Sequence, residues 1–110
     1  MTIETQIQSE VGIATVSGEI THAVAGDLQT RLASLMAETR GLAIDMGGVT
    51  MLTSAGLRTL LLLHRQAGGS GKILVLACVP ETVRDVMDVT GFLAQFRVCA
   101  SLAEAVATIA

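Results

Sequence analysis

Few residues in this chain have the types and spacing to do chemistry. Thr53-Ser54 precedes a strongly apolar stretch containing Leu57, Leu60, Leu61, Leu62 and Leu63, so two hydroxyls stand where a helix is predicted to begin. A Ser or Thr at that position commonly accepts a hydrogen bond from a free helix N–H, and an N-cap at Ser54 is the simplest structural role. The same position suits a modification. A helix start offers unpaired N–H groups and the positive end of the dipole, both of which tolerate an added phosphate. Phosphorylation adds about −1.5 to −2 charges. The change would act through charge and bulk at an interface, without refolding the chain.

Other chemistries fail on spacing. Ser54-Ala55-Gly56 is half of a Gly-x-Ser-x-Gly nucleophile elbow, but Leu52 holds the first glycine position. The only histidines are His22 and His64, and His64 falls about 15 Å along the same helix as Ser54 at the usual rise per residue. No Ser–His pair forms within that helix. Gly68-Gly69-Ser70-Gly71-Lys72 looks like a phosphate loop, yet Gln66 replaces its first glycine, Ile73 replaces its Ser or Thr, and it runs from helix to strand. Cys78 and Cys99 lack ligand spacing and read as reduced, buried thiols. No group of His, Cys and carboxylates has the spacing of a metal site. No catalytic residue, metal or cofactor is expected.

Three neighbours of Ser54 have two readings each. Gly56 allows either close approach of a partner backbone or tight packing of the helix on a strand. Arg58, one turn into the helix, is either a partner contact or an ordinary solvated cation. Asp45, at the end of a strand, is more readily a cap of the following loop than a catalytic acid.

The elements that must position these residues follow from periodicity. Ile3, Thr5 and Ile7 alternate with Glu4, Gln6 and Gln8, and a turn at Ser9-Glu10 leads into Val11 to Ser17, which predicts a hairpin. From His22 to Glu38 the period becomes helical, with Val24, Leu28, Leu32, Leu35 and Met36 on one face. Leu42 to Met46 reads as a short buried strand, followed by a Gly47-Gly48 break and a loop. The helix after Ser54 is apolar nearly all round, which predicts deep packing, and Gly68 to Gly71 ends it. Ile73 to Leu76 is a central strand. Pro80 and Gly91 bracket a helix with Val83, Val86 and Met87 inward. Phe96 to Cys99 is a short fifth strand. Ser101 and Glu104 have capping-box spacing ahead of a last helix carrying Leu102, Val106 and Ile109.

The order is ββαβαβαβα, an α/β fold with a mixed, mostly parallel sheet and helices packed against it. Composition agrees. Of 110 residues, 51 % are apolar and 15 % charged, enough for a core and unlike a disordered chain. With two Phe and no Trp or Tyr, the core must be aliphatic. The net charge of −3, without a basic cluster or stacking aromatics, argues against direct nucleic-acid binding. Residues Met1 to Gln6 do not read as a signal peptide, and no apolar stretch approaches the roughly 20 residues of a membrane helix. A cytoplasmic location without membrane insertion is expected.

The segment Ile44-Asp45-Met46-Gly47-Gly48-Val49-Thr50-Met51-Leu52-Thr53-Ser54-Ala55-Gly56-Leu57 resembles the signature of the STAS domain family. That signature runs strand, Asp, Gly-Val, a hydrophobic pair, Asp or Ser/Thr, Ser, a small residue, Gly-Leu, helix. Gly18-Glu19-Ile20-Thr21 is similar to the family's Gly-Glu-Leu-Asp, and Pro80 and Gly91-Phe92-Leu93 match further landmarks. The likeness covers almost the whole chain in matching order and implies one STAS domain over residues 1–110.

The resemblance implies an anti-sigma factor antagonist. In such members the Ser two residues before Gly-Leu, here Ser54, is phosphorylated by a partner that is both anti-sigma factor and serine kinase of the ATP-binding type. Unphosphorylated protein binds that partner and frees a sigma factor; phosphorylated protein is released until a serine phosphatase resets it. The implied partner-facing set is Glu19, Thr21, Thr53, Ser54, Gly56 and Arg58. Two departures stand out: Thr53 and Thr21 occupy positions where the family often has Asp. They remove two carboxylates from the kinase-facing surface and make Thr53 an alternative acceptor. A second role is a STAS accessory subunit of a lipid-transport complex or sensory scaffold, with Ser54 never modified. A third, a hydrolase using Ser54, would need an esterase activity lost in Ser54→Ala.

Overall fold

The computed structural model describes all residues, 1–110. The strands are β1 (Thr2–Gln8), β2 (Val11–Ile20), β3 (Gly41–Leu52), β4 (Ile73–Ala77) and β5 (Arg97–Cys99). The helices are α1 (His22–Ala37), α2 (Ser54–Gly69), α3 (Glu81–Val89) and α4 (Leu102–Ile109), with a 3₁₀ turn at Leu93–Gln95. The strands lie in the order β1-β2-β3-β4-β5, with β1 antiparallel to β2 and every other pair parallel. The α/β class and the element order expected from periodicity are both present.

The sheet is apolar on both faces, which is why its central strands read as unbroken hydrophobic runs. Leu42, Ile44 and Met46 of β3 and Leu74 and Leu76 of β4 point to one side, where Leu28 and Leu32 of α1, Leu57, Leu60 and Leu63 of α2, and Val83 and Met87 of α3 complete the main core. The alternate residues, Ala43, Val75 and Ala77, meet Val11, Ile13 and the α4 residues Ala105 and Ile109 on the other side. One helix therefore covers the back of the sheet and three cover the front.

The largest difference from expectation is in β3. Instead of ending at Met46 it continues through Gly47-Gly48 to Leu52, paired along β2 as far as Ile20↔Leu52. Glycine is a poor strand former, so the pair reads as a break. Here it permits close approach: a Cβ on Gly48 would lie 2.7 Å from Cβ of Ser17. The register shifts between Thr15 and Ser17 and again between Gly18 and Glu19, and Gly18 adopts φ +85°. Such irregularities bend a strand pair and re-aim its end. The effect is to carry the ends of β2 and β3 together to the start of α2.

Smaller corrections concern faces. Ile7 is exposed because β1 is the sheet edge. Leu62 of α2 and Val86 of α3 also face solvent, so α2 is not buried all round and Val86 does not point inward. Cys78 and Cys99 are half-buried rather than buried. Pro80 is the N-cap residue of α3, one position before its first turn, and Gly91 ends that helix at φ +79°. α2 continues through Gly68 and Gly69 to a cap at Ser70.

Candidate functional site

The two hydroxyls at the start of α2 are divided in their work. The N-cap is Thr53, not Ser54: its Oγ1 accepts from the Gly56 N–H at 3.3 Å, and its carbonyl accepts from the Leu57 N–H at 2.9 Å. The same hydroxyl donates to the carbonyl of Ile20 at 3.0 Å, and the Thr53 N–H donates to that oxygen at 3.1 Å. Thr53 thus ties the helix to the end of β2. Ser54, the first helical residue, is exposed and its hydroxyl has no hydrogen-bond partner within the protein.

Gly56 completes the junction. It is buried, and a Cβ there would lie 2.7 Å from Leu52 Cδ1, 2.8 Å from Ile20 Cγ2 and 3.0 Å from the Ile20 carbonyl oxygen. Of its two readings, tight packing of helix on strand is the one this geometry fits. The Ile20–Thr53 bonds bring the two segments flanking them alongside, so Glu19, exposed at the end of β2, and half-buried Thr21, the N-cap residue of α1, border the start of α2. Thr21 makes no side-chain cap bond.

Beyond Ser54 the surface opens into a groove of about 360 Å³ between α2 and the end of α3. Ser54, Arg58 and Arg65 stand along it, with Leu61, Leu62 and Phe92 supplying apolar lining. Arg58 is exposed there, as its position predicted. Arg65 was not singled out in the sequence, and Leu62 and Phe92 were read there as a packing residue and a family landmark, not as part of a site. The available signal was the seven-residue separation of Arg58 and Arg65, two turns that return to the same face; Phe92 joins only through the packing of α3.

A second corner lies on the other face of the sheet, where β4 and β5 end beside α4 and the middle of β3. Asp45 Oδ1 accepts from the Gly47 N–H at 2.9 Å, but both residues lie within β3, so it braces the strand at its glycine pair instead of capping the loop expected after it. Cys78 sits in the left-handed region at φ 57°, and its N–H donates to the Cys99 carbonyl at 3.2 Å. Its thiol is pushed above the ordinary value of 9.0, first by burial and then by the negative charge of Asp45, with a hydrogen bond to Asp45 adding to the rise and one from the Leu102 N–H opposing it. A thiol held protonated in this way is a poor nucleophile. Ser101 caps α4 by accepting from the Glu104 N–H at 3.2 Å. His64 is packed against Phe96, ring centroids 5.4 Å apart, with its Nδ1 buried and unpaired.

The chain has clear relatives. The STAS domain family matches residues 2–105. BtrV of Bordetella bronchiseptica, named as an anti-sigma factor antagonist, is 34 % identical over 90 residues, covering 81 % of this chain and 78 % of BtrV. The crystal structure of an anti-sigma factor antagonist from Mycobacterium paratuberculosis superposes with a TM-score of 0.88 at 24 % identity, covering 98 % of this chain and 92 % of that one. Bacillus SpoIIAA in its phosphorylated form superposes with a TM-score of 0.75 at 13 % identity, covering 99 % and 100 %. No helix is long and apolar enough to cross a membrane. With the family matched across nearly its full length and the signature folded as a strand-end, hydroxyl-capped helix start, the chain belongs to the STAS domain family, with anti-sigma factor antagonists among its relatives.

Proposed function

We propose that this protein is an anti-sigma factor antagonist, a binding protein switched by phosphorylation at Ser54. In the unmodified state it binds an anti-sigma factor that is also a serine kinase of the ATP-binding type, and so releases a sigma factor. The kinase transfers the γ-phosphoryl group of ATP to Ser54 Oγ; ADP leaves and the hydroxyl proton is lost. The modified protein dissociates, and a serine phosphatase restores the hydroxyl. Glu19, Thr21, Thr53, Ser54 and Arg58 form the face presented to the partner, with Gly56 supporting it from behind.

The observation that carries this reading is the division between the two hydroxyls. Thr53 spends its hydroxyl on Ile20 and Gly56, while Ser54 is exposed and free at the first helical position. A phosphate on Ser54 leaves the cap intact and meets the positive end of the helix. A phosphate on Thr53 would break both bonds, which favours Ser54 over Thr53 as acceptor. The name of the BtrV relative supports the same role.

The test is intact-mass analysis and phosphosite mapping after incubation with ATP and candidate anti-sigma kinases, alongside Ser54→Ala. One phosphate on Ser54, absent from the variant and weakening partner binding, is the expected result. A phosphate on Thr53 would overturn the choice of acceptor. Stable capture by another complex, with no modification by any kinase, would replace the sigma-regulation reading with the accessory-subunit one.

A further inference from the structure

The mouth of the groove beside α2 carries charge of one sign. Arg58 and Arg65 line it and no carboxylate does. The chain as a whole is net negative, yet the one ion pair in the protein joins Arg40 to Glu10, far along the sequence from this groove. Neither guanidinium of the groove is engaged by an acidic side chain.

Ser54 and Arg58 are four residues apart on α2, stacked on the same strip of helix surface with about 6 Å of rise between them. An anion N-terminal to a cation at this spacing is the favourable order on a helix. Arginine also presents a planar fork that matches two phosphate oxygens at once, which a lysine ammonium does not. Nothing else competes for the Ser54 position: Thr53 already serves the cap, and the first turn of α2 contains no acidic residue.

We propose that Arg58 is the internal reader of the Ser54 phosphate, closing on it as an intrahelical guanidinium–phosphate fork and so withdrawing a cation from the groove. This rests on the reading of Ser54 as the phospho-acceptor and adds how the modification is registered. Phosphorylation then changes the groove mouth twice over: a dianion appears at Ser54, and the nearest guanidinium, previously open to an acidic group of a partner, is taken up by it. Arg65 lies about 16 Å from Ser54 along the helix, beyond reach of the phosphate. It remains a fixed cation and an internal control.

The experiment uses the full chain with phosphoserine placed at position 54 by genetic encoding or ligation, so that no kinase is needed. The phosphate is titrated by phosphorus NMR in the otherwise native chain and in R58Q, R58K and R65Q. Free phosphoserine takes its second ionisation near pH 6. The expected midpoint is lower in the native chain, and R58Q raises it by roughly 0.15 to 0.4 of a pH unit, the size of one exposed pair at this spacing. R58K falls between them, and R65Q matches the native chain. A shift of the Arg58 Nε resonance on phosphorylation supports the fork without any variant. Superimposable titrations of the native and R58Q chains, or an Arg58 Nε resonance indifferent to the phosphate, overturn it. That failure differs from failure of the functional reading, in which no kinase modifies Ser54 although the installed phosphate still pairs with Arg58.

Discussion

Two corners of this molecule use the same local device and differ in charge. At each, a hydroxyl caps a helix: Thr53 for α2 and Ser101 for α4. At the α4 corner the neighbourhood already holds carboxylates, with Glu104 in the first turn and Asp45 beside Cys78. At the α2 corner there is no acid in the first turn, a free hydroxyl on Ser54, and Arg58 one turn on. The helix dipole is common to both. What separates a packing corner from a site able to take an anion is what the surrounding side chains have already supplied.

Backbone crowding gives the largest test of that contrast. Gly56→Ala places a Cβ against the Ile20 carbonyl oxygen and two side chains, and is expected to cost about 1–3 kcal/mol by urea unfolding while also weakening partner binding. Gly41→Ala, crowded at 2.6 Å by Ile109 of α4 and 2.7 Å by the Ile73 carbonyl, should cost about the same stability and leave partner affinity per folded molecule unchanged. Equal loss of affinity in both would show that the α2 corner has no special part in binding.

The hydroxyls come next. Thr53→Ala removes a cap and a donor to β2, so about 1–2 kcal/mol should be lost, with Thr53→Ser recovering most of it. Ser101→Ala should cost about 1 kcal/mol. Ser54→Ala should stay within about 0.5 kcal/mol of the native chain, because its hydroxyl holds nothing. A large loss from Ser54→Ala would make Ser54 structural and undo the division of labour.

Charge insertion has a smaller effect. Ser54→Glu is expected to stabilise the protein by about 0.3–1 kcal/mol at low salt, through the dipole and Arg58. Ala103→Glu, at the exposed second position of α4 beside Glu104, should bring no gain.

The alkaline limb of stability offers the finest comparison. The folded state holds the Cys78 thiol above its unfolded value, so its contribution is fully present below the unfolded value near 9.0 and is lost as the pH rises through the folded one. Denaturation midpoints should therefore fall more steeply above pH 9 in the native chain than in Cys78→Ser. Ser54→Ala should not alter that slope.

Much of this was legible in the residues themselves. Period-two alternation marked the hairpin, apolar runs marked the strands buried on both faces, and Thr53-Ser54 before the leucines marked a helix start. Asp45 was legible as a carboxylate bonding the backbone just after it, although the strand end and loop expected there are absent. All of these depend on neighbours within a few residues, the range over which backbone geometry translates directly into spacing.

What tertiary structure alone decided involves partners distant in sequence. Thr53 is the cap, with Ser54 left free, because its hydroxyl finds the Ile20 carbonyl across a separation of 33 residues. That meeting requires β3 to run on through Gly47-Gly48, and a glycine pair reads locally as a stop although close approach of Ser17 makes it a continuation. The exposure of Ile7, Leu62 and Val86 depends on where the sheet edge and the helix flanks fall, which a hydrophobic period cannot express. The groove joins Arg58 of α2 to Phe92 beyond α3 because both helices pack on the same face of the sheet. The sequence by itself determined the fold class and which hydroxyls stood at the helix start. Only the long-range contacts decided which of them was bound into the structure and which was left open to chemistry.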